Sequence, residues 1–235
     1  MFDVNAFLGY LTNAYLLEGV LVTIGMTIAT MVIGLILGTC LALARLSGVA
    51  LLAAPARFYV WVFRGTPLLV QLVLIYTGLP QLGIRLGVLP SALLALSLNE
   101  AAYLSETIRG GFQGVPKGQA EAAKALGLSA WQRLWLVMIP QVARLVMPQF
   151  GNSLNGLLKA TSLASIISLE ELMRRSQVLM QTRFEVLELY SVAALYYLAL
   201  TTLWNLVQAR LEKHYGRGYA DTTAVKLPLA AVARP

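Results

Sequence analysis

The sequence has 235 residues, of which 58% are hydrophobic and 12% are charged, and its mean hydropathy is +0.70. A soluble domain of this size cannot cover so much apolar surface, so the composition excludes an ordinary globular protein and indicates a lipid bilayer as the solvent. The formal net charge is +7, but the basic residues flank apolar blocks, which fits cytoplasmic loops of a membrane protein and not a nucleic-acid-binding stripe.

The residue counts exclude disulfides, cysteine-based metal sites and a histidine cluster. Cys40 is the only cysteine and lies inside an apolar run, and His214 is the only histidine. A disulfide framework or a cysteine-based zinc site needs several such residues, so we predict no metal site.

The first apolar block covers residues 16–44. It is longer than the roughly 20 residues that cross about 30 Å of hydrocarbon, so we predict a first span here. Residues 1–15 lack the basic region and cleavage site of a signal peptide and are expected to form an interfacial segment. Gly34 and Gly38 permit close helix packing, although glycines can also be tolerated without such a role.

The second block, residues 58–80, is interrupted by Arg64-Gly65-Thr66-Pro67. Glycine and proline inside a span free backbone groups that need partners in protein or water, so such a break usually lines a cavity. We predict that Arg64 is a pathway residue, with snorkelling to the cytoplasmic interface as the alternative.

The third block, residues 88–108, becomes polar in its second half. A carboxylate inside a membrane is costly enough to be a functional hypothesis by default. We predict that Asn99 and Glu100 face a cavity. Glu106 and Arg109 are spaced as an ordinary i, i+3 ion pair at a helix end.

A cytoplasmic loop, residues 110–140, follows the third block. Residues 117–126 favour a helix and Gly127 suits its C-cap, while Ser129 can cap a second helix that stops at Pro140. The result is a helical hairpin on the membrane surface. It can dock a partner, or it can be an amphipathic hairpin that lies in the interface.

The fourth block, residues 142–169, is too polar for lipid on all sides. It should therefore face a translocation pathway or, alternatively, an intersubunit seam without substrate contact. The expected partner of Lys159 is Glu100 or a substrate carboxylate. Four polar side chains recur at three- and four-residue steps on one stripe: Asn152, Asn155, Lys159 and Ser162.

The remaining segments complete one transmembrane domain, residues 16–215. Residues 170–183 are predicted to form an external amphipathic helix, residues 186–206 a fifth span, and residues 216–235 a disordered cytoplasmic tail. With the N-terminus outside, the most basic loops and the C-terminus lie in the cytoplasm, as the positive-inside rule requires.

Three motifs carry a resemblance to a known family. The cytoplasmic loop is similar to the EAA loop of ABC-importer permeases, E-A-A-x3-G-x9-I-x-L-P, with Val137 and Ile139 as a mild departure. The run from Arg64 to Gln71 and the pattern Ala-Tyr-x2-Glu-x2-Arg resemble permeases of the polar amino acid uptake family. The resemblance implies the type I ABC importer permease fold: an all-α membrane protein with about five transmembrane helices and a cytoplasmic coupling loop.

The resemblance also assigns roles to residues. Ser153 and Ala160 replace two carboxylates that the family often has. If the family's glutamate at residue 153 serves basic substrates, its absence counts against basic amino acids as cargo. The residues expected to couple the permease to an ATPase are Glu121, Ala122, Ala123 and Gly127. The residues expected near the substrate route are Arg64, Thr66, Gln71, Asn99, Glu100, Asn152, Lys159 and Ser162.

The partners follow from the same resemblance. The sequence has no G-x4-G-K-[ST] phosphate loop, so it is not expected to be an enzyme. We expect a bacterial inner-membrane complex with two ATPase subunits that use ATP and Mg, a second permease (homodimer or heterodimer) and an extracytoplasmic amino acid-binding protein, with no cofactor on this chain.

Two other classes stay open at this level. A proton-coupled secondary transporter could use Glu100 and Lys159 as a relay, and a non-transporting scaffold could use the fourth span for assembly.

Overall fold

Helices make up the chain that the computed structural model describes, residues 2–216, and that range contains no strand. The predicted disordered tail lies outside the described residues apart from its first residue. At the N-terminus, Asp3 caps a short helix α1 (Val4–Tyr10) by accepting hydrogen bonds from two backbone N–H groups of its first turn. Helix α1 packs against the last helix that the structure describes, and Tyr196 there donates to the Leu11 carbonyl at 2.6 Å.

The most extensive helix pair joins α2 (Ala14–Leu46) to α5 (Val88–Gly114). Gly34 and Gly38 both lie at this contact. A Cβ at residue 38 would stand 3.0 Å from the Ala101 carbonyl oxygen, so the absence of a side chain sets the helix separation. The glycine pair therefore serves packing within the chain.

The second predicted span is broken. Helix α3 (Ala50–Gly65) is followed by α4 (Leu68–Val73), which continues through a π-helical turn and a 3₁₀ turn to Leu82, and the two parts are bent by 105°. Helix α3 begins earlier than the predicted block because Pro55 does not end it. A proline in the second turn removes one backbone hydrogen bond, and the rest of the helix remains paired.

The cytoplasmic hairpin consists of α6 (Lys117–Ala125) and α7 (Ala130–Gln132). The second helix does not stop at Pro140, as the sequence suggested. It continues through a π-helical turn, Arg133–Met138, into α8 (Ile139–Ala160). Proline cannot donate the backbone hydrogen bond that would continue the helix, and the wider π-helical turn before it accommodates the missing bond. The helix therefore continues into the predicted fourth span without a break.

The C-terminal third contains α9 (Leu172–Arg183) and α10 (Val186–Gly216). A 3₁₀ segment, Thr161–Ile167, connects α8 to the turn before α9. The buried Glu171 caps α9 by accepting from the Arg174 N–H at 2.8 Å, and burial raises the pKa of this carboxyl group.

Two hydrophobic clusters hold these helices together. The larger one joins α2, α4, α5, α8 and the 3₁₀ segment, and the smaller one joins α2, α9 and α10. Apolar side chains also remain exposed along α2 and α10, as lipid-facing surfaces require. Members of the larger cluster include Met26, Leu72, Leu96, Leu104 and Leu157.

Three of the described helices are long and apolar enough to cross a membrane: Ala14–Leu46, Val88–Gly114 and Val186–Lys213. The bent pair of α3 and α4 makes a fourth crossing if it is counted as one span. Helix α8 is not apolar enough to be counted with them because it carries the polar stripe of the fourth block. The count of five spans therefore stays a prediction.

Candidate functional site

The turn of the cytoplasmic hairpin is built from two local caps. Gly127 has φ +79°, and hydrogen bonds from Leu128 N–H to the Ala123 carbonyl (3.1 Å) and from Gly127 N–H to the Lys124 carbonyl (3.0 Å) form a Schellman motif. A capping box then starts the second helix, in which Ser129 and Gln132 bond each other's backbone N–H groups. Both predicted caps are confirmed, and the hairpin has a defined shape.

The four predicted coupling residues occupy different environments. Glu121, Ala122 and Gly127 are exposed, whereas Ala123 is only 4% exposed and packs inside the hairpin. The small side chain of Ala123 thus brings α6 close to its own partner helix instead of facing outward. Large apolar side chains are exposed beside the turn, which is the surface expected of a docking element. They are Leu126, Trp131, Trp135 and Leu136.

Three predicted pathway residues meet at the break between α3 and α4. Gln71 donates to the Thr66 hydroxyl at 2.8 Å and to the Phe63 carbonyl at 3.0 Å, and Asn99 donates to the Gln71 side-chain oxygen at 3.0 Å. Asn99 also reaches the Phe63 carbonyl, at 3.2 Å. The amides therefore satisfy carbonyl groups that the bend frees, which fixes its shape.

Glu100 projects from α5 into a cavity of about 260 Å³ that lies between α4, α5 and α8. The residue is 8% exposed, and its buried Oε1 has no hydrogen-bond partner in the described part of the chain. Asn99, Tyr103 and Ser153 also line this cavity. The predicted cavity position of Asn99 and Glu100 is thus what the geometry shows.

Arg64 belongs to a second cavity, of about 480 Å³, with Arg45, Arg57 and Trp61. The Glu106 carboxylate at its edge contacts three guanidinium groups, from Arg45 at 2.7 Å, Arg109 at 2.6 Å and Arg64 at 3.6 Å. The Glu106–Arg109 pair was predicted, whereas the Arg45 contact was not, because 61 residues separate its partners.

The two cavities share one lining residue, Tyr103. Its ring lies under the Arg64 guanidinium at 5.3 Å, so the tyrosine stands between the acidic cavity and the arginine-rich cavity. In the sequence, Tyr103 is marked only by its position one helical turn beyond Asn99.

The polar stripe of α8, which continues to Ser162 in the 3₁₀ segment, faces α10 and not the Glu100 cavity. Asn155 donates to Asn205, and Gln208 lies 3.5 Å from the Asn152 oxygen. Lys159 and Ser162 line a third cavity, of about 400 Å³, with side chains of α10. Within residues 2–213, Lys159 makes no ion pair, and the suggested pairing with Glu100 is absent.

Ser153, which the sequence analysis noted only as the replacement of a carboxylate common in the family, also lines the Glu100 cavity. It lies one position from Asn152 and therefore points roughly 100° away around the helix, into the Glu100 cavity. No pattern in one sequence marks it, because the sequence does not state how α8 is rotated against α5.

These features define an all-α, multi-pass membrane protein with the type I ABC importer permease fold: a helical bundle with a broken span, internal polar cavities and a cytoplasmic hairpin. The family model described as binding-protein-dependent transport system inner membrane component matches residues 31–217. The chain belongs to this family, whose members are transport subunits and not enzymes, with ATP hydrolysis on a separate subunit.

Individual relatives agree with the family match. The chain is 38% identical over 201 residues to a probable amino-acid ABC transporter permease protein, YckA, of Bacillus subtilis (86% of this chain, 89% of the relative). It is 36% identical over 243 residues to the arginine transport system permease protein ArgU of Corynebacterium glutamicum (97% and 77%). The crystal structure of an amino acid ABC transporter with histidines superposes with a TM-score of 0.85 at 31% identity, covering 91% of this chain and 99% of that one.

Proposed function

We propose that this chain forms the translocation pathway for amino acids in an ABC importer and receives energy from ATPase subunits through the hairpin of residues 117–140. The amino acid class is supported by the relatives, which include an arginine transport permease and a probable amino-acid permease. The pathway is supported by the polar cavities beside the broken span.

The observation that carries the coupling role is the shape and exposure of the hairpin. Its turn is held by two caps, and its outer surface presents Glu121, Ala122, Gly127 and the exposed Leu126. A rigid projection with exposed apolar side chains can dock into a groove of a partner and transmit its movement to α5 and α8. ATP shifts the permease between inward and outward access if the docked ATPases bind ATP more tightly in one state.

The proposed assembly contains two permeases, either identical or similar, two ATPase subunits that hold ATP and Mg, and an extracytoplasmic binding protein. This chain binds no cofactor of its own. The N-terminus lies outside and the C-terminus in the cytoplasm, because that orientation places the arginines of the α2–α3 connection and the basic residues of the hairpin inside.

The test is Gly127→Asp, compared with Gly48→Asp. Both glycines are exposed and have positive φ (+79° and +72°), and a Cβ added to either one would meet no atom within 4 Å. Both also lie on the proposed cytoplasmic side. A charge at residue 127 is expected to weaken association with the ATPase by about tenfold or more, because it must be desolvated in the docked groove.

The measurement is copurification of the ATPase and ATP-driven amino acid uptake in vesicles that contain the permease, its candidate ATPase and its binding protein. We expect the residue 127 variant to lose both while the residue 48 variant keeps both. Equal losses in the two variants would contradict a specific docking role. Uptake without any ATPase would instead favour the proton-coupled alternative.

A further inference from the structure

A buried carboxylate without a counter-charge stands in the cavity between α4, α5 and α8. Glu100 is 8% exposed, its Oε1 has no partner among the described residues, and the lining contains no lysine or arginine. None of the ion pairs found within residues 2–213 includes it. An uncompensated buried charge is costly, so such a group is expected to meet a cation that the chain itself does not supply.

The fold makes room for this side chain. Gly34 of α2 lies behind it, and a Cβ at residue 34 would stand 3.1 Å from the Glu100 Cγ. A larger residue at position 34 would push the carboxylate further into the cavity or separate α2 from α5. The glycine therefore lets α5 present Glu100 to the cavity while the two helices stay in close contact.

An amino acid can offer two kinds of cation to Glu100, its α-ammonium group or a basic side chain, and the second suits this cavity better. An α-ammonium group is attached to the same carbon as the α-carboxylate, so it would bring a negative charge next to Glu100. A basic side chain instead carries its cation on a flexible stem, several bonds from the carboxylate. The second arrangement suits a site with an acidic end and a separate basic end.

Such a basic end lies on the far side of Tyr103. Glu100 and Tyr103 are three residues apart on α5, about 4.5 Å of helix rise. Tyr103 borders both cavities, and the Arg64 guanidinium stands 5.3 Å from its ring. A basic amino acid can thus place its side-chain cation at Glu100 and direct its carboxylate toward the second cavity, where the three arginines Arg45, Arg57 and Arg64 outnumber the one carboxylate, Glu106.

We infer that Glu100 selects amino acids with a cationic side chain, by receiving the ammonium or guanidinium group in the cavity that it shares with Ser153. This inference rests on the proposed uptake of amino acids. It reverses the expectation drawn from Ser153 and Ala160, because the carboxylate missing from α8 is supplied to the same cavity by α5.

The test compares wild type, Glu100→Gln and the double variant Glu100→Gln/Ser153→Glu in vesicles with the ATPase and the binding protein. Uptake of arginine, lysine and glutamine is measured with and without ATP, and assembly is checked by size exclusion. We expect Glu100→Gln to lower arginine and lysine uptake by about tenfold or more relative to glutamine uptake. The double variant returns a carboxylate from the opposite wall and should recover cationic uptake.

The possible failures are distinguishable. Equal losses for all three amino acids in Glu100→Gln, or loss of assembly in both variants, would show a structural role and overturn the inference. A wild type that takes up glutamine with ATP but neither arginine nor lysine would overturn it and leave the proposed function intact. No ATP-dependent uptake of any amino acid by the complete assembly would contradict the proposed function itself.

Discussion

Gly19→Ala is expected to destabilise the junction between α2 and α9. A Cβ at residue 19 would stand 2.9 Å from the Leu172 Cα and 3.0 Å from the Leu172 backbone nitrogen. These are backbone atoms and cannot rotate away, so α9 must move. That movement would also lengthen the bond from the Leu172 N–H to the Thr23 hydroxyl, which is already 3.3 Å. Overpacking of this kind costs about 1–3 kcal/mol.

The matched control is Gly25→Ala on the same helix, where a Cβ would meet nothing within 4 Å. For a chain of this size, a loss of 1 kcal/mol lowers the midpoint of thermal unfolding by about 2–4 °C. We therefore expect Gly19→Ala to unfold roughly 2–12 °C below wild type and Gly25→Ala to remain near it. The measurement is thermal unfolding of the detergent-purified permease–ATPase complex. Equal midpoints for the two variants would refute the packing argument.

Two further substitutions test interactions near the cytoplasmic side. Ser129→Ala removes the capping box with Gln132 and should destabilise the start of α7 by about 1 kcal/mol. We expect faster amide hydrogen exchange in the hairpin. Unchanged exchange would show that the cap does not stabilise the helix. Glu106→Gln removes the carboxylate between Arg45 and Arg109 and should destabilise the fold by about 1.5–3 kcal/mol, measured as a lower midpoint of thermal unfolding. An unchanged midpoint would contradict this prediction.

Local signals predicted the cytoplasmic hairpin well. The positive-φ glycine and the serine cap depend on residues within a few positions of each other, so the sequence contains their whole geometry. Pro140 was the exception: it reads as a helix stop, but the preceding π-helical turn carries the helix past it. A π-helical turn depends on packing around the helix and has no sequence signal of its own.

The internal sites were predicted less evenly. Asn99 and Glu100 were expected in a cavity and lie in one, because a polar residue inside an apolar span has few other stable places. Glu100 was one of two partners suggested for Lys159, the other being a substrate carboxylate, and the pairing of Glu100 with Lys159 does not occur. The two residues line different cavities, since Lys159 faces α10.

The sequence by itself determined the membrane environment, the all-helical class, the broken second span and the caps of the hairpin. These features depend on composition and on residues that are close together along the chain. The tertiary structure decided which face of each helix meets which partner. A rotation of α8 by about 100°, one residue, exchanges Ser153 for Asn152 at the acidic cavity. That rotation is set by packing against α5 and α10, and it decides which side chain of α8 shares the cavity with Glu100.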